Sequence, residues 1–140
     1  MAPYTEEKRG LTIEPGIYRN KKTNNLYFAE KVVADKDTDT KKVFYYALYP
    51  NEDYRDGCTR SIPVFMQKNE LVTPISASMV DMFLPGARLK DTRDSVFPHR
   101  VISVTSDDSE GKITVNVDNF PGGSLPFTVE AFVLRFYGAE

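Results

Sequence analysis

The chain repeats itself, and that limits what it can fold into. Pro15-Gly16-Ile17-Tyr18-Arg19 is answered by Pro85-Gly86-Ala87-Arg88-Leu89, and Val32-Val33 by Val101-Ile102. The polar run Asp35–Lys42 is answered by Thr105–Lys112, and the alternating Val43–Tyr49 by Ile113–Val117. Each copy closes on an apolar run, Ile62–Phe65 and Val129–Phe132. The order is kept, and the spacing stays near 70 residues except at the last element. Within 140 residues, each copy is too small to bury enough surface alone, so the two should pack on each other.

Turn residues divide each copy into short stretches rich in Tyr, Phe and Val. The first copy predicts strands at Gly16–Arg19, Leu26–Ala34, Lys42–Tyr49 and Ser61–Gln67, with a tight turn at Thr23-Asn24-Asn25. The second predicts strands at Ala87–Lys90, His99–Thr105, Lys112–Asp118 and Thr128–Arg135, with a sharp turn at Phe120–Gly123. Between them, Ser76–Phe83 predicts one or two helical turns, stopped by Pro74 before and Pro85-Gly86 after. The expected fold is all-β: two tandem small SH3-like half-open barrels packed together, with a short helical turn in the linker. The expected division is a flexible lead-in over 1–12, a first module over 13–70, a linker over 71–84 and a second module over 85–140.

Composition narrows the function classes. A formal net charge of −2 argues against a bulk polyanion binder. No apolar stretch is long enough to span a bilayer, and Met1–Thr12 lacks the pattern of a secretory signal. The one cysteine, Cys58, excludes an internal disulfide. A cytoplasmic location is the expectation. Cys58 and the one histidine, His99, are too few to ligate zinc, and their spacing does not favour a nucleophile–base pair. Asp35, Asp37 and Asp39 alternate like a calcium loop but lack its glycine and distal glutamate. Pro121-Gly122-Gly123 lacks the Lys-Ser/Thr and helix of a phosphate loop. No metal, cofactor or catalytic residue is expected.

Gly16, Tyr18, Arg19, Leu26, Tyr27, Val43, Tyr45, Ala47, Leu48, Tyr49, Arg60 and Phe65 form a recognisable pattern across residues 15–66. It resembles a short bacterial and phage domain family of unknown function. That family opens with Gly-x-Tyr-Arg/Lys-His and carries a Val-x-Tyr-x-Ala-Leu-Tyr strand before an Arg-Pro-x-x-x-Phe segment. Asn20 stands where the family has His, and no Trp precedes Arg60. The resemblance implies an SH3-like plan and a bacterial or phage source, and carries no reaction. The second copy is similar only in its Pro-Gly opening.

Aromatic residues are divided unevenly. Six of eight tyrosines lie between Tyr18 and Tyr54, whereas the second copy uses Phe97, Phe120, Phe127, Phe132 and Phe136. Tyrosine joins an apolar face to a hydroxyl and suits a ligand platform; phenylalanine suits a core. Along Val43–Tyr49, alternation sends Phe44, Tyr46 and Leu48 to one face and Val43, Tyr45, Ala47 and Tyr49 to the other. Ala47 marks the second set as the inner face, which leaves Tyr46 outward. Both faces are apolar, so both should be covered.

The expected ligand-binding residues are Tyr18, Arg19, Tyr27, Tyr46, Tyr49, Tyr54 and Arg60, with phosphate contacts at Lys21, Lys22, Lys41 and Lys42. The competing expectation is that the tyrosines pack the interface between the copies. Residues 15–66 hold nine basic and seven acidic side chains, and residues 85–137 hold six and seven, so a basic contact belongs to the first copy.

The resulting expectation is a non-catalytic protein that binds a protein segment or single-stranded nucleic acid through the first module. A peptide ligand predicts weak salt dependence and loss on Tyr46→Ala. A nucleic-acid ligand predicts salt-dependent binding weakened by removal of Lys21, Lys22 or Lys41. The alternative is a small-molecule binder of phage type, sequestering a nucleotide in a pocket between copies lined by Tyr and Arg. A third reading, an enzyme, would need His99 and nearby carboxylates. An open strand edge would allow a homo-oligomer.

Overall fold

A computed structural model describes residues 13–34, 40–49, 57–93, 98–106 and 112–138. The lead-in, the Asp35–Asp39 run, Tyr54, Phe97 and the acidic run from Asp107 to Glu110 lie outside these residues. The chain is all-β, with a few short helices. Its first module holds β1 (Gly16–Asn20), β2 (Leu26–Ala34), β3 (Lys41–Ala47), β4 (Cys58–Ser61), α1 (Ile62–Lys68) and β5 (Asn69–Pro74). A short turn at Ala77–Met79 and α2 (Val80–Phe83) lead to the second module. There, β6 (Arg88–Asp91), β7 (His99–Ser106), β8 (Ile113–Phe120) and β9 (Gly123–Thr128) are followed by α3 (Val129–Arg135) and β10 (Phe136–Gly138).

The two sheets have the same plan. Their strand orders are β4-β3-β2-β1-β5 and β10-β6-β7-β8-β9, each with a helix inserted before the last strand. All pairings are antiparallel. The registers match the copies residue by residue. Asn69 pairs with Asn20 as Phe136 pairs with Asp91, and Tyr27 pairs with Tyr18 as His99 pairs with Leu89. The irregularity in β2 between Ala29 and Lys31 recurs in β7 between Val101 and Ser103. Even the turns agree: Asn20 Oδ1 accepts from Lys22 N at 2.9 Å, and Asp91 Oδ1 from Arg93 N at 2.8 Å. This register corrects the alignment made from sequence. Tyr18 corresponds to Leu89 rather than Arg88, Val32 to Val104 rather than Val101, and Val43 and Tyr45 to Val115 and Val117, two residues further on than the apolar pattern implied.

The apolar runs closing each copy are helices, not the strands expected at Ser61–Gln67 and Thr128–Arg135. Their caps decide this. Ser61 Oγ accepts from Val64 N at 3.4 Å, and Thr128 Oγ1 from Ala131 N at 3.1 Å. Pro63 sits in the first turn of α1, where a missing N–H costs nothing. Each helix buries one phenylalanine, Phe65 or Phe132, at 0% exposure. Sequence reading missed two strands in each copy: the fourth, β4 and β9, which precede these helices, and a fifth that follows them. In the first copy it is β5, which carries the module to Pro74 through part of the expected linker. The helical turn expected at Ser76–Phe83 is present, with Ser76 as its cap.

Apolar residues bury into two clusters. The first module has its own interior, made of Tyr18, Tyr27, Ala29, Val43, Tyr45, Ala47, Ile62 and Phe65. Its other sheet face presents Ile17, Leu26, Phe28 and Leu48 to α2 and the second module. The interior of the second module (Leu89, Val101, Val115, Val117, Phe132 and Phe136) is continuous with that layer. Phe28, Phe83 and Phe132 link across it at 5.8 and 5.0 Å between ring centroids. Val104 N–H donates to the Leu48 carbonyl at 3.1 Å. The expectation that β3 is covered on both faces holds, and the cover on the outer face is the inter-module layer. Among the described residues, no helix is long and apolar enough to cross a membrane.

Candidate aromatic binding rim

Alternation along β3 and its pairing with β2 and β4 place three tyrosines on one side of the first module. Tyr27 faces Ala47 across one ladder, and Tyr45 faces Cys58 across the next. The Tyr27 ring meets Tyr45 edge-on at 5.5 Å and Tyr49 at 5.8 Å. The hydroxyls of Tyr27 and Tyr49 lie 3.1 Å apart, and Arg60 Nε donates to the Tyr45 hydroxyl at 3.3 Å. Tyr49 and Arg60 are half-buried, so this cluster reaches the surface. Tyr45 was missed as a member from sequence, although its alternation with Tyr49 was the signal that could have found it.

The other expected residues separate. Tyr18 lies inside the module at 1% exposure, its ring edge-on to Phe65 at 5.1 Å, and cannot offer a platform. Its hydroxyl donates to the Glu14 carbonyl at 2.7 Å, and burial pushes its pKa up. Arg19 points to the opposite face, where it pairs with Glu70. Its hydrogen bond holds the Glu70 carboxyl below the usual carboxylate range. Tyr46 also takes the opposite face, against Phe44 at 5.2 Å and the inter-module layer. It therefore matches the expectation of a tyrosine packed between copies, whereas Tyr18, Tyr27 and Tyr45 fill the interior of one copy. Tyr54 lies outside the described residues.

The four lysines do not form one track. Lys21 and Lys22 are exposed in the turn after β1, beside the start of β2. Lys41 and Lys42 open β3, opposite Ala34 and Val33 at the far end of β2. Nine residues of strand separate the pairs, roughly 30 Å at the rise of an extended chain.

His99 is a packing residue. It is 3% exposed, stacks on Phe120 at 4.3 Å, and holds the Asp118 carbonyl through Nδ1 at 2.9 Å. Among the described residues, no three His, Cys, Asp or Glu side chains gather as a metal site would require. A groove of about 300 Å³ runs between the modules, lined by Val72, Thr73, Lys112, Ile113, Thr128, Val129 and Glu130. It holds neither the tyrosine nor the arginine expected of a nucleotide pocket. No family model matches the chain, and neither does any curated protein or solved structure.

Proposed function

We propose that this is a non-catalytic binding protein whose first module recognises a protein segment through the rim of Tyr27, Tyr45, Tyr49 and Arg60. The observation that carries this reading is a connected set in which the buried rings of Tyr27 and Tyr45 back the half-buried Tyr49 and Arg60 at the module surface. Such a set combines rigid apolar area with hydrogen-bonding tips, and little conformational entropy is lost when a ligand docks on it. We read the shared strand order, with a short helix before the fifth strand, as SH3-like, and SH3 domains dock extended peptides in aromatic-lined grooves.

A protein segment is favoured over single-stranded nucleic acid. A nucleic-acid groove tracks the backbone with a run of positive charge. Here the two lysine pairs sit at opposite ends of β2, and the whole chain carries a formal charge of −2. Nothing in the inter-module groove favours a nucleotide, since it offers one lysine and no ring to stack a base.

The test is selection of displayed peptides on the whole protein, followed by fluorescence anisotropy with the selected peptide and with oligo-dT. The expected result is peptide binding that changes little with salt and falls at least about tenfold in Tyr49→Ala and Arg60→Ala. Binding of oligo-dT that weakens steeply with salt and on removal of Lys21 or Lys41 would replace this reading with the nucleic-acid one.

A further inference from the structure

The second module contains a charged group enclosed in a way that the first module lacks. Asp91 is 2% exposed at the end of β6. Its carboxylate accepts from Arg135 Nε at 3.1 Å to each oxygen and from a terminal nitrogen at 2.8 Å. It also accepts the backbone N–H of Arg93. The same guanidinium lies 5.4 Å from the centres of Phe120 and Phe127 and 5.5 Å from that of Phe136. Those three rings pack on one another at 5.2–6.2 Å, and His99 stacks behind Phe120.

Each part answers a need of a guanidinium. Its edge carries the N–H donors, and two of its nitrogens donate to the carboxylate. Its faces are weakly hydrated and are attracted to the negative faces of aromatic rings. A buried carboxylate is costly unless it is paired and hydrogen-bonded, and here the guanidinium that pairs it also lies against three rings. The first module does without them: its equivalents of Asp91, Phe127, Phe136 and Arg135 are Asn20, Arg60, Asn69 and Lys68. The corner also opens to solvent, because the Arg135 side chain keeps 23% exposure.

We propose that Asp91, Phe120, Phe127 and Phe136 form a guanidinium-binding site whose resident occupant is Arg135, and which accepts an external arginine side chain when Arg135 is withdrawn. The ligand class is a guanidinium, since a quaternary ammonium has no donors for Asp91.

The experiment compares wild type with Arg135→Ala by thermal melting in millimolar guanidinium chloride, with sodium chloride and tetramethylammonium chloride at equal ionic strength as controls. The expected result is a saturable rise in the melting temperature of Arg135→Ala with guanidinium alone, and no rise in wild type. A variant that folds only when guanidinium is present would support the site equally. Arg135→Lys, whose stem still fills the corner, should fold and show a smaller response. Arg135→Ala combined with Asp91→Asn should show none. N-acetylarginine amide should bind the Arg135→Ala protein in isothermal titration. No saturable response, an equal response to tetramethylammonium, or a variant unfolded in every salt would overturn the proposal. Rescue by guanidinium without binding of N-acetylarginine amide would overturn its extension to an arginine side chain.

Discussion

The two modules fill equivalent positions with opposite chemistry. Tyr27 is matched by His99, Tyr45 by Val117, Arg60 by Phe127 and Asn69 by Phe136. The first module lines its interior with tyrosines whose hydroxyls reach a rim, and it keeps that interior to itself. The second closes with phenylalanines over a buried ion pair and merges its interior with the layer between modules. One backbone plan thus supports two closures. The polar closure, with Tyr27 bonded to Tyr49 and Arg60 to Tyr45, is the one on which the proposed recognition rests. The phenylalanine corner clamped by Asp91 and Arg135 joins the layer between modules through the contact of Phe136 with Phe132.

Four measurements sharpen this comparison. The largest effect is expected from Phe65→Ala and Phe132→Ala, each removing a fully buried ring at a cost of about 3–5 kcal/mol by urea denaturation. Phe132 touches Phe83 and Phe136 as Phe65 touches Tyr18 and Tyr45, so the two losses should be comparable. A much cheaper Phe132→Ala would contradict the shared core. Next, Arg135→Ala should cost about 3 kcal/mol, because it removes the guanidinium from the Asp91 carboxylate and leaves it only the Arg93 N–H. The equivalent Lys68→Ala, on an exposed residue, should fall within about 0.5 kcal/mol.

The Pro-Gly openings, one residue out of step in the register that matches Tyr18 with Leu89, should also diverge. At Gly16, φ is +149° and an added Cβ would lie 2.8 Å from Pro74 Cα and 2.9 Å from Ile75 N, so Gly16→Ala should cost about 2–3 kcal/mol. At Gly86, φ is +86° with open space around it, so alanine should cost only about 1 kcal/mol of backbone strain. The smallest effect is acid sensitivity. Hydrogen bonds from Arg135 hold the Asp91 carboxyl below its ordinary range, against the upward push of burial. Its folded pKa is therefore depressed, and its contribution is complete above the unfolded value and lost as pH falls. Below about pH 4, wild type should lose stability faster than Asp91→Asn in a pH series of melting curves.

Much of the plan was legible because duplication and alternation are local signals. The Leu26–Ala34 strand, the inner and outer faces of β3, and the helical turn after Ser76 follow directly from them. The closing helices were not legible, since Ile62–Phe65 and Val129–Phe132 carry β-favouring residues and only the caps at Ser61 and Thr128 turn them. Strand β9 was hidden because Gly123, Ser124 and Pro126 read as a turn, and β10 because three residues give no period. For the rim, the crowding of tyrosines into one copy was visible, while the facing of each depended on pairing across strands. The Asp91–Arg135 pair could not be seen at all, because 44 residues separate the partners and Arg135 reads as the end of a strand.

The two modules should unfold as one unit, because the second module's interior and the outer face of the first form a single apolar cluster. Scanning calorimetry of the whole chain is the test. One heat-absorption peak whose calorimetric and van't Hoff enthalpies agree is expected. Two resolved peaks, with Arg135→Ala moving only one of them, would contradict it.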